Sequence, residues 1–230
     1  MNPNERITQI MDLTSLALWL DSALSGFDGA ILGAMHTAAE TAGGLLTPLA
    51  RIITLVGEKG IIFFAAALVL ACFARTRKTA VCLFGAVCCG ALITNLILKD
   101  AVARLRPCDV EAFAAWWQAV GSPPESGFSF PSGHVTATSA GLCALALMRG
   151  HRWIAPAAVG IPVMALSRCY LMSHYPSDVL AAALIGLGSA LLAWEITRVI
   201  YLVLNRTAET RFSHFILTFD LRRRKVFEDT

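Results

Sequence analysis

Charge is what this chain has least of. Of its 230 residues, 15% are Asp, Glu, Lys or Arg and 56% are hydrophobic, whereas a soluble domain is about a quarter charged. That shortage excludes an ordinary water-soluble domain, gives no reason to expect a nucleic-acid partner, and places the chain in the membrane class. Clustered acids are missing too. No carboxylate set is spaced to hold magnesium, and no His/Cys set is spaced to hold zinc. The seven cysteines follow no ligand pattern. Cys72, Cys82, Cys88, Cys89, Cys143 and Cys169 lie in or beside apolar runs, where cysteine behaves as a small hydrophobe, and only Cys108 sits in a long polar stretch. Neither a disulfide framework nor a cofactor is expected. Met1–Arg6 lacks a basic region followed by a strongly apolar one, so no cleavable signal peptide is expected. No internal repeat is visible, and the length suits one compact domain.

What the chain has is long apolar runs. A membrane helix needs about 20 mostly apolar residues. Five runs qualify: Gly60–Ala74 with Val56–Lys59 as its first turn, Thr79–Leu98, Val135–Met148 extended back to Ser132, Trp153–Met172, and Val179–Leu204. The fold class expected is therefore all-α, a polytopic membrane helix bundle with five clear spans. Residues 1–57 are less decided. Ile10–Leu24 is interrupted by Asp12 and Asp21, and Phe27–His36 and Leu45–Val56 read as amphipathic helices. A sixth span near residues 10–35, or helices lying in the interface, both fit. The membrane core is expected over 58–204, and a basic tail over 205–230.

Lysine and arginine mark the cytoplasmic side of a membrane protein. Arg75, Arg77 and Lys78 follow the first span, Arg149 and Arg152 follow the third, and Arg206, Arg211 and Arg222–Lys225 follow the fifth. Alternation puts all of these on one side. The other side receives the long loop from Asp100 to Phe130 and the turn at Ser173–Ser177. Within that loop, Phe113, Trp116, Trp117 and Phe128 suit the headgroup region. Cys108–Phe130 is expected to cover a pocket and to influence which substrate enters it, or merely to anchor at the interface.

Three segments place charge at span ends on that second side. Lys99 and Arg106 are seven residues apart, two helical turns if the helix runs on to Pro107; alone, they also fit cations that snorkel to the interface. Phe130-Pro131-Ser132-Gly133-His134 opens the third span. Proline suits a first helical turn, and Ser132 and Gly133 leave N–H groups open to an anion. Ser167-Arg168 and His174-x3-Asp178 flank the turn between the last two spans. Ionisable residues at such depth face a polar cavity and mark function, and a carboxylate beside an imidazole fixes its tautomer. Together these segments supply three cations, two histidines, a serine and a carboxylate. Such a set can cradle a phosphate, with one imidazole attacking phosphorus and the other protonating the leaving oxygen. The fixed cations take the place of a metal.

Lys-x6-Arg-Pro, Pro-Ser-Gly-His and Ser-Arg-x5-His-x3-Asp, in this order, resemble the tripartite signature of the type-2 phosphatidic acid phosphatase superfamily. Lys99 to Asp178 are covered, and every signature position is filled. The resemblance implies an all-helical bundle, typically of six spans in bacterial members, with its site facing outward. It implies His174 as nucleophile forming a phosphohistidine, Asp178 orienting it, and His134 as general acid. Lys99, Arg106, Ser132, Gly133 and Arg168 are implied as phosphate ligands. The implied activity is hydrolysis of a lipid phosphate or pyrophosphate in the bacterial cytoplasmic membrane: undecaprenyl pyrophosphate, phosphatidylglycerol phosphate or phosphatidic acid. The partners implied are that substrate and membrane lipids. Transfer to an alcohol through the same intermediate, and phosphate binding without turnover, are the alternatives. Nothing in the sequence speaks to oligomeric state.

Overall fold

A computed structural model describes residues 14–42, 44–123 and 125–221, with the side chain of Phe212 excepted. The reading of Met1–Arg6, the start of Ile10–Leu24 and the arginines of Arg222–Lys225 lie outside the described residues. The described chain is all-helical: α1 Ser15–Ala23, α2 Ser25–Thr41, α3 Leu46–Val56, α4 Ile61–Ala71, α5 Arg77–Leu92, α6 Lys99–Val102, α7 Glu111–Val120, α8 Gly133–Arg149, α9 Ile154–Tyr170, α10 Pro176–Arg206 and α11 Arg211–Thr218.

Four stretches are long and apolar enough to cross a membrane: Leu46–Ala71, Arg77–Asp109, His151–Tyr170 and Pro176–Arg206. The first corrects the expected boundary. Within it, Leu46–Val56 joins α4 through a single 3-10 turn at Glu58–Gly60. Lys59 and Gly60 take positive φ there and kink the chain. The expected third span is α8, which has 17 residues and lies at the centre of the bundle. At its start, Pro131 precedes the cap residue Ser132 and is not part of the first turn. In the N-terminal region, α1 and α2 break at Leu24.

Helices in lipid have little hydrophobic drive to associate, so close backbone approach and dispersion must hold them together. The small residues of α5, α8 and α10 serve that purpose. Ala86, Ala137, Ala140, Ala144, Ala190 and Ala193 pack with Phe63, Leu83 and Val87 in one buried cluster. Gly186 of α10 lies so close to α8 that a Cβ there would stand 2.5 Å from Ser139 Cβ and 2.6 Å from the Thr136 carbonyl. A second cluster joins Leu32 of α2 to Met164 and Cys169 of α9 and Val179 of α10. The N-terminal helices are thereby packed onto the same body.

The ends of the bundle differ in character. Arg77 donates to the Ile216 and Phe219 carbonyls, and Leu221 N–H donates to the Cys72 carbonyl at 3.2 Å. The described part of the basic tail therefore sits on the basic link after α4. The three signature segments meet at the opposite end. The long loop there is partly helical, since it holds α7. Phe113, Trp116 and Trp117 pack against the Leu32 cluster, and Trp116 stacks on His36 at 4.8 Å; these rings are half-buried in the protein.

Candidate active site

The first and third signature segments reach the site through local departures from regular helix, and the second through the start of α8. At the end of α5 the chain forms a π-helical turn, Ile93–Leu98, a feature common at functional sites. It brings Thr94, Asn95 and Lys99 to one cavity wall. The helix does not then continue to Arg106. It stops at Val102, and Ala103 turns left-handed at φ 53°, a conformation costing about 1–2 kcal/mol for a residue with a Cβ. The reversal sends Arg104 and Arg106 inward on an extended segment. Both are 1–2% exposed.

The third segment turns sharply at Met172, φ 53°, with Ser173 N–H returning to the Arg168 carbonyl. Pro176 then opens α10, and Asp178 accepts from the Tyr175 N–H at 3.0 Å. His174 is 1% exposed and Asp178 fully buried.

These segments enclose a cavity of about 720 Å³, lined by Lys99, Arg106, Gly133, His134 and His174 among others. Arg168, also fully buried, lines an adjoining recess of about 540 Å³. Thr54, Glu58, Pro123 and Glu125 border both spaces. Ser132 and Asp178 stand behind the cavity wall. The Ser132 Oγ and Arg168 Nε are buried and find no hydrogen-bond partner among the described residues.

His174 has different neighbours on its two nitrogens. Nδ1 lies 3.4 Å from Ser129 Oγ, and the Ser129 hydroxyl donates to Asp178 Oδ2. Asp178 itself is 3.9 Å from Nδ1, beyond hydrogen-bond reach. Asp178 therefore connects to Nδ1 only by way of Ser129, a residue the sequence reading did not select. With Nδ1 carrying the proton toward Ser129, Nε2 keeps its lone pair on the cavity side, 3.2 Å from Arg106 Nη1. Burial first, then Arg106 and Arg168, hold the imidazole well below its usual pKa, so it stays neutral. His134 Nε2 faces Glu58 Oε2 at 3.1 Å, which gives the second histidine a proton partner of its own.

Behind His174 is a hub that the sequence reading also missed. The Arg104 guanidinium donates to Asp178 Oδ1 at 2.7 Å, Asp28 Oδ2 at 2.8 Å, Asp21 Oδ1 at 2.7 Å and Ser177 Oγ at 2.7 Å. It lies 3.9 Å over the Tyr175 ring. Asp28 also accepts from the Ser177 N–H and hydroxyl. Two acids from the N-terminal helices therefore clamp the start of α10. Glu125 is the third omission. Its carboxylate bridges Arg106, at 3.0 Å, and Arg168. Burial raises its pKa, but the two guanidiniums outweigh burial and hold it at about 2. The acids at 28, 58 and 125 carry no spacing signal toward the motif residues, and only their isolation in otherwise apolar or loop sequence sets them apart.

A neutral imidazole facing fixed guanidiniums, with a second histidine and an open helix start opposite, can bind an oxyanion, attack it and protonate a leaving group. The chain is similar to known proteins. The family model described as PAP2 superfamily matches residues 78–201. The decaprenylphosphoryl-5-phosphoribose phosphatase of Mycolicibacterium smegmatis is 36% identical over 157 residues, covering 66% of this chain and 79% of that protein. The lipid A 1-phosphatase of Rhizobium johnstonii is 36% identical over 110 residues, covering 48% of this chain and 44% of that protein. Among solved structures, the transmembrane PAP2-type phosphatidylglycerolphosphate phosphatase of Bacillus subtilis is similar with a TM-score of 0.60 and 22% identity, covering 85% of this chain and 96% of that one.

Proposed function

The chain belongs to the PAP2 superfamily and is an integral membrane phosphatase, and from that premise we infer that it hydrolyses the terminal phosphate of a lipid-linked substrate through a phosphohistidine at His174. The observation that carries this reading is the meeting of Lys99, Arg106, Gly133, His134 and His174 on one cavity, with Arg168 at its border. In the reaction, His174 Nε2 attacks phosphorus while Lys99, Arg106 and Arg168 neutralise the equatorial oxygens, helped by the N–H groups at the start of α8. His134 protonates the departing oxygen, and then takes a proton from the water that cleaves the phosphohistidine. Asp178 acts at one remove, through Ser129 Oγ, to hold Nδ1–H in place and to stabilise the imidazolium character of the intermediate.

The positive-inside pattern supports an extracytoplasmic site in a bacterial cytoplasmic membrane. The relatives named above are phosphatases of decaprenylphosphoryl-5-phosphoribose, of lipid A and of phosphatidylglycerolphosphate, so a lipid phosphomonoester is the substrate class favoured here. Hydrolysis is favoured over transfer because those relatives are phosphatases. The test is a panel of lipid phosphates offered to purified protein in detergent with EDTA present. Phosphate release is expected from the wild type and not from His174→Ala. Equal release from both, or dependence on added divalent metal, contradicts the reading.

A further inference from the structure

The cavity's two best-buried guanidiniums already hold an anion. Glu125 presents one carboxylate oxygen to Arg106 and the other to Arg168, dividing its oxygens between two cations as two oxygens of a phosphate would be divided. The Arg106 nitrogen that meets Glu125 also stands 3.2 Å from His174 Nε2, so the carboxylate is seated beside the attacking atom. A substrate phosphate in line for attack and the Glu125 carboxylate cannot hold the same N–H groups together.

The surroundings favour exchange over permanence. Glu125 comes from a loop and not from a helix, and its side chain is 28% exposed, against 0–3% for its two partners. It borders both the main cavity and the recess beside it. Two buried arginines without an anion are costly, so an empty site needs a counter-charge, and a filled site receives one from the ligand. Replacing one anion by another leaves neither state with bare cations. A phosphate released among three cations has the opposite difficulty, since nothing in the cradle itself drives it out. A carboxylate held about 2 stays charged at every working pH and is available to retake both arginines.

We propose that Glu125 is an internal competitor for the phosphate seat: it occupies Arg106 and Arg168 in the empty enzyme, yields them to the substrate phosphate, and displaces the inorganic phosphate product. This rests on the reading of the cavity as a phosphatase site. The contrary role, a fixed strut that keeps the arginines aimed at the ligand, has the opposite sign in binding. The experiment is inhibition by inorganic phosphate, measured on wild type, Glu125→Gln and Glu125→Ala with one lipid phosphate substrate. Loss of a charged competitor is expected to lower the phosphate inhibition constant by about tenfold or more in both variants, with a lower KM and a kcat reduced by slower release. An unchanged or raised inhibition constant overturns the proposal. Wild-type protein supplies a check independent of variant folding: carboxyl footprinting with a diazo reagent should label Glu125 more strongly when inorganic phosphate is added, and constant or weaker labelling is a second refutation. His174→Ala run alongside separates the failures. If it is inactive while the Glu125 variants keep the wild-type inhibition constant, this proposal alone falls; if it remains active, the phosphatase reading falls and takes the proposal with it.

Discussion

Replacing Asp28 tests whether the N-terminal helices build the site or merely accompany it. Asp28 is 2% exposed, lies outside the residues matched by the family model, and fills both carboxylate oxygens with Arg104 Nη2, the Ser177 N–H and the Ser177 hydroxyl. Asp28→Ala leaves Arg104 with Asp21 and Asp178, so the cation is not bare, but it breaks a buried pair, for which about 3–5 kcal/mol is usual. It also strands the Ser177 N–H, at about 1–3 kcal/mol. Because the surviving acids compensate in part and the terms overlap, a loss of about 3–5 kcal/mol is expected in all. Asp28→Asn keeps the shape and one acceptor oxygen, and should lose less. Since Ser177 and Asp178 share the first turn of α10, both variants should lower kcat more than they raise KM. The assay is thermal unfolding in detergent beside steady-state kinetics, with Ser177→Ala and the double variant completing a cycle. A coupling of at least about 1 kcal/mol between positions 28 and 177 is expected for residues that share hydrogen bonds. An Asp28→Ala protein within about 0.5 kcal/mol of wild type, the range of an ordinary surface change, and with unaltered kcat, refutes the reasoning.

Three other predictions follow from the same geometry. Ser129→Ala removes the link between His174 Nδ1 and Asp178; kcat should fall by up to about 100-fold, the effect of a misaligned reacting group, while KM changes little, and an unchanged kcat means that Ser129 does not relay orientation. The His174 imidazole is held well below its usual value by burial and by Arg106 and Arg168, and is raised by Glu125. Its neutral form attacks, so the acid limb of kcat/KM should lie below about pH 6.5. Because removing the Glu125 charge disfavours the imidazolium further, Glu125→Gln should move that limb to still lower pH; a limb above neutrality, or a shift upward, contradicts the assignment. Gly186→Ala places a methyl 2.5 Å from Ser139 Cβ and should destabilise by about 1–3 kcal/mol through overpacking, whereas Gly188→Ala meets nothing within 4 Å and should leave thermal unfolding unchanged.

How far the sequence carries depends on the range of the interaction. Lys99, Arg106, His134 and His174 could be brought together from sequence because each lies at the end of an apolar run, and alternation of the spans sends those ends to one side. Ser129, Glu125 and Arg104 could not. Their partners lie 19 to 83 residues away, and no local period records such a contact. The extension of the helix through Arg106 failed for a related reason. The local rule lets a helix run until proline, but three carboxylates and a tyrosine ring draw Arg104 inward, and Ala103 takes a left-handed turn to permit it. Leu45–Val56 reads as amphipathic, and the structure adds what a local pattern cannot: Arg51 turns to the Val120 and Gly121 carbonyls, and the helix joins α4 across the kink at Lys59. Asp178 lies 3.9 Å from His174 Nδ1, and the few tenths of an ångström that decide whether the two bond lie below what a four-residue spacing can specify.

The central claim is that fixed cations hold a phosphate against His174 Nε2. Rapid-quench labelling with a lipid phosphate carrying radioactive terminal phosphorus tests it most directly. An acid-labile, alkali-stable label should form on the His174 peptide at a rate no slower than turnover, and should be absent from His174→Ala. Turnover without that label, or a His174→Ala protein that still hydrolyses the substrate at the wild-type rate, contradicts the account.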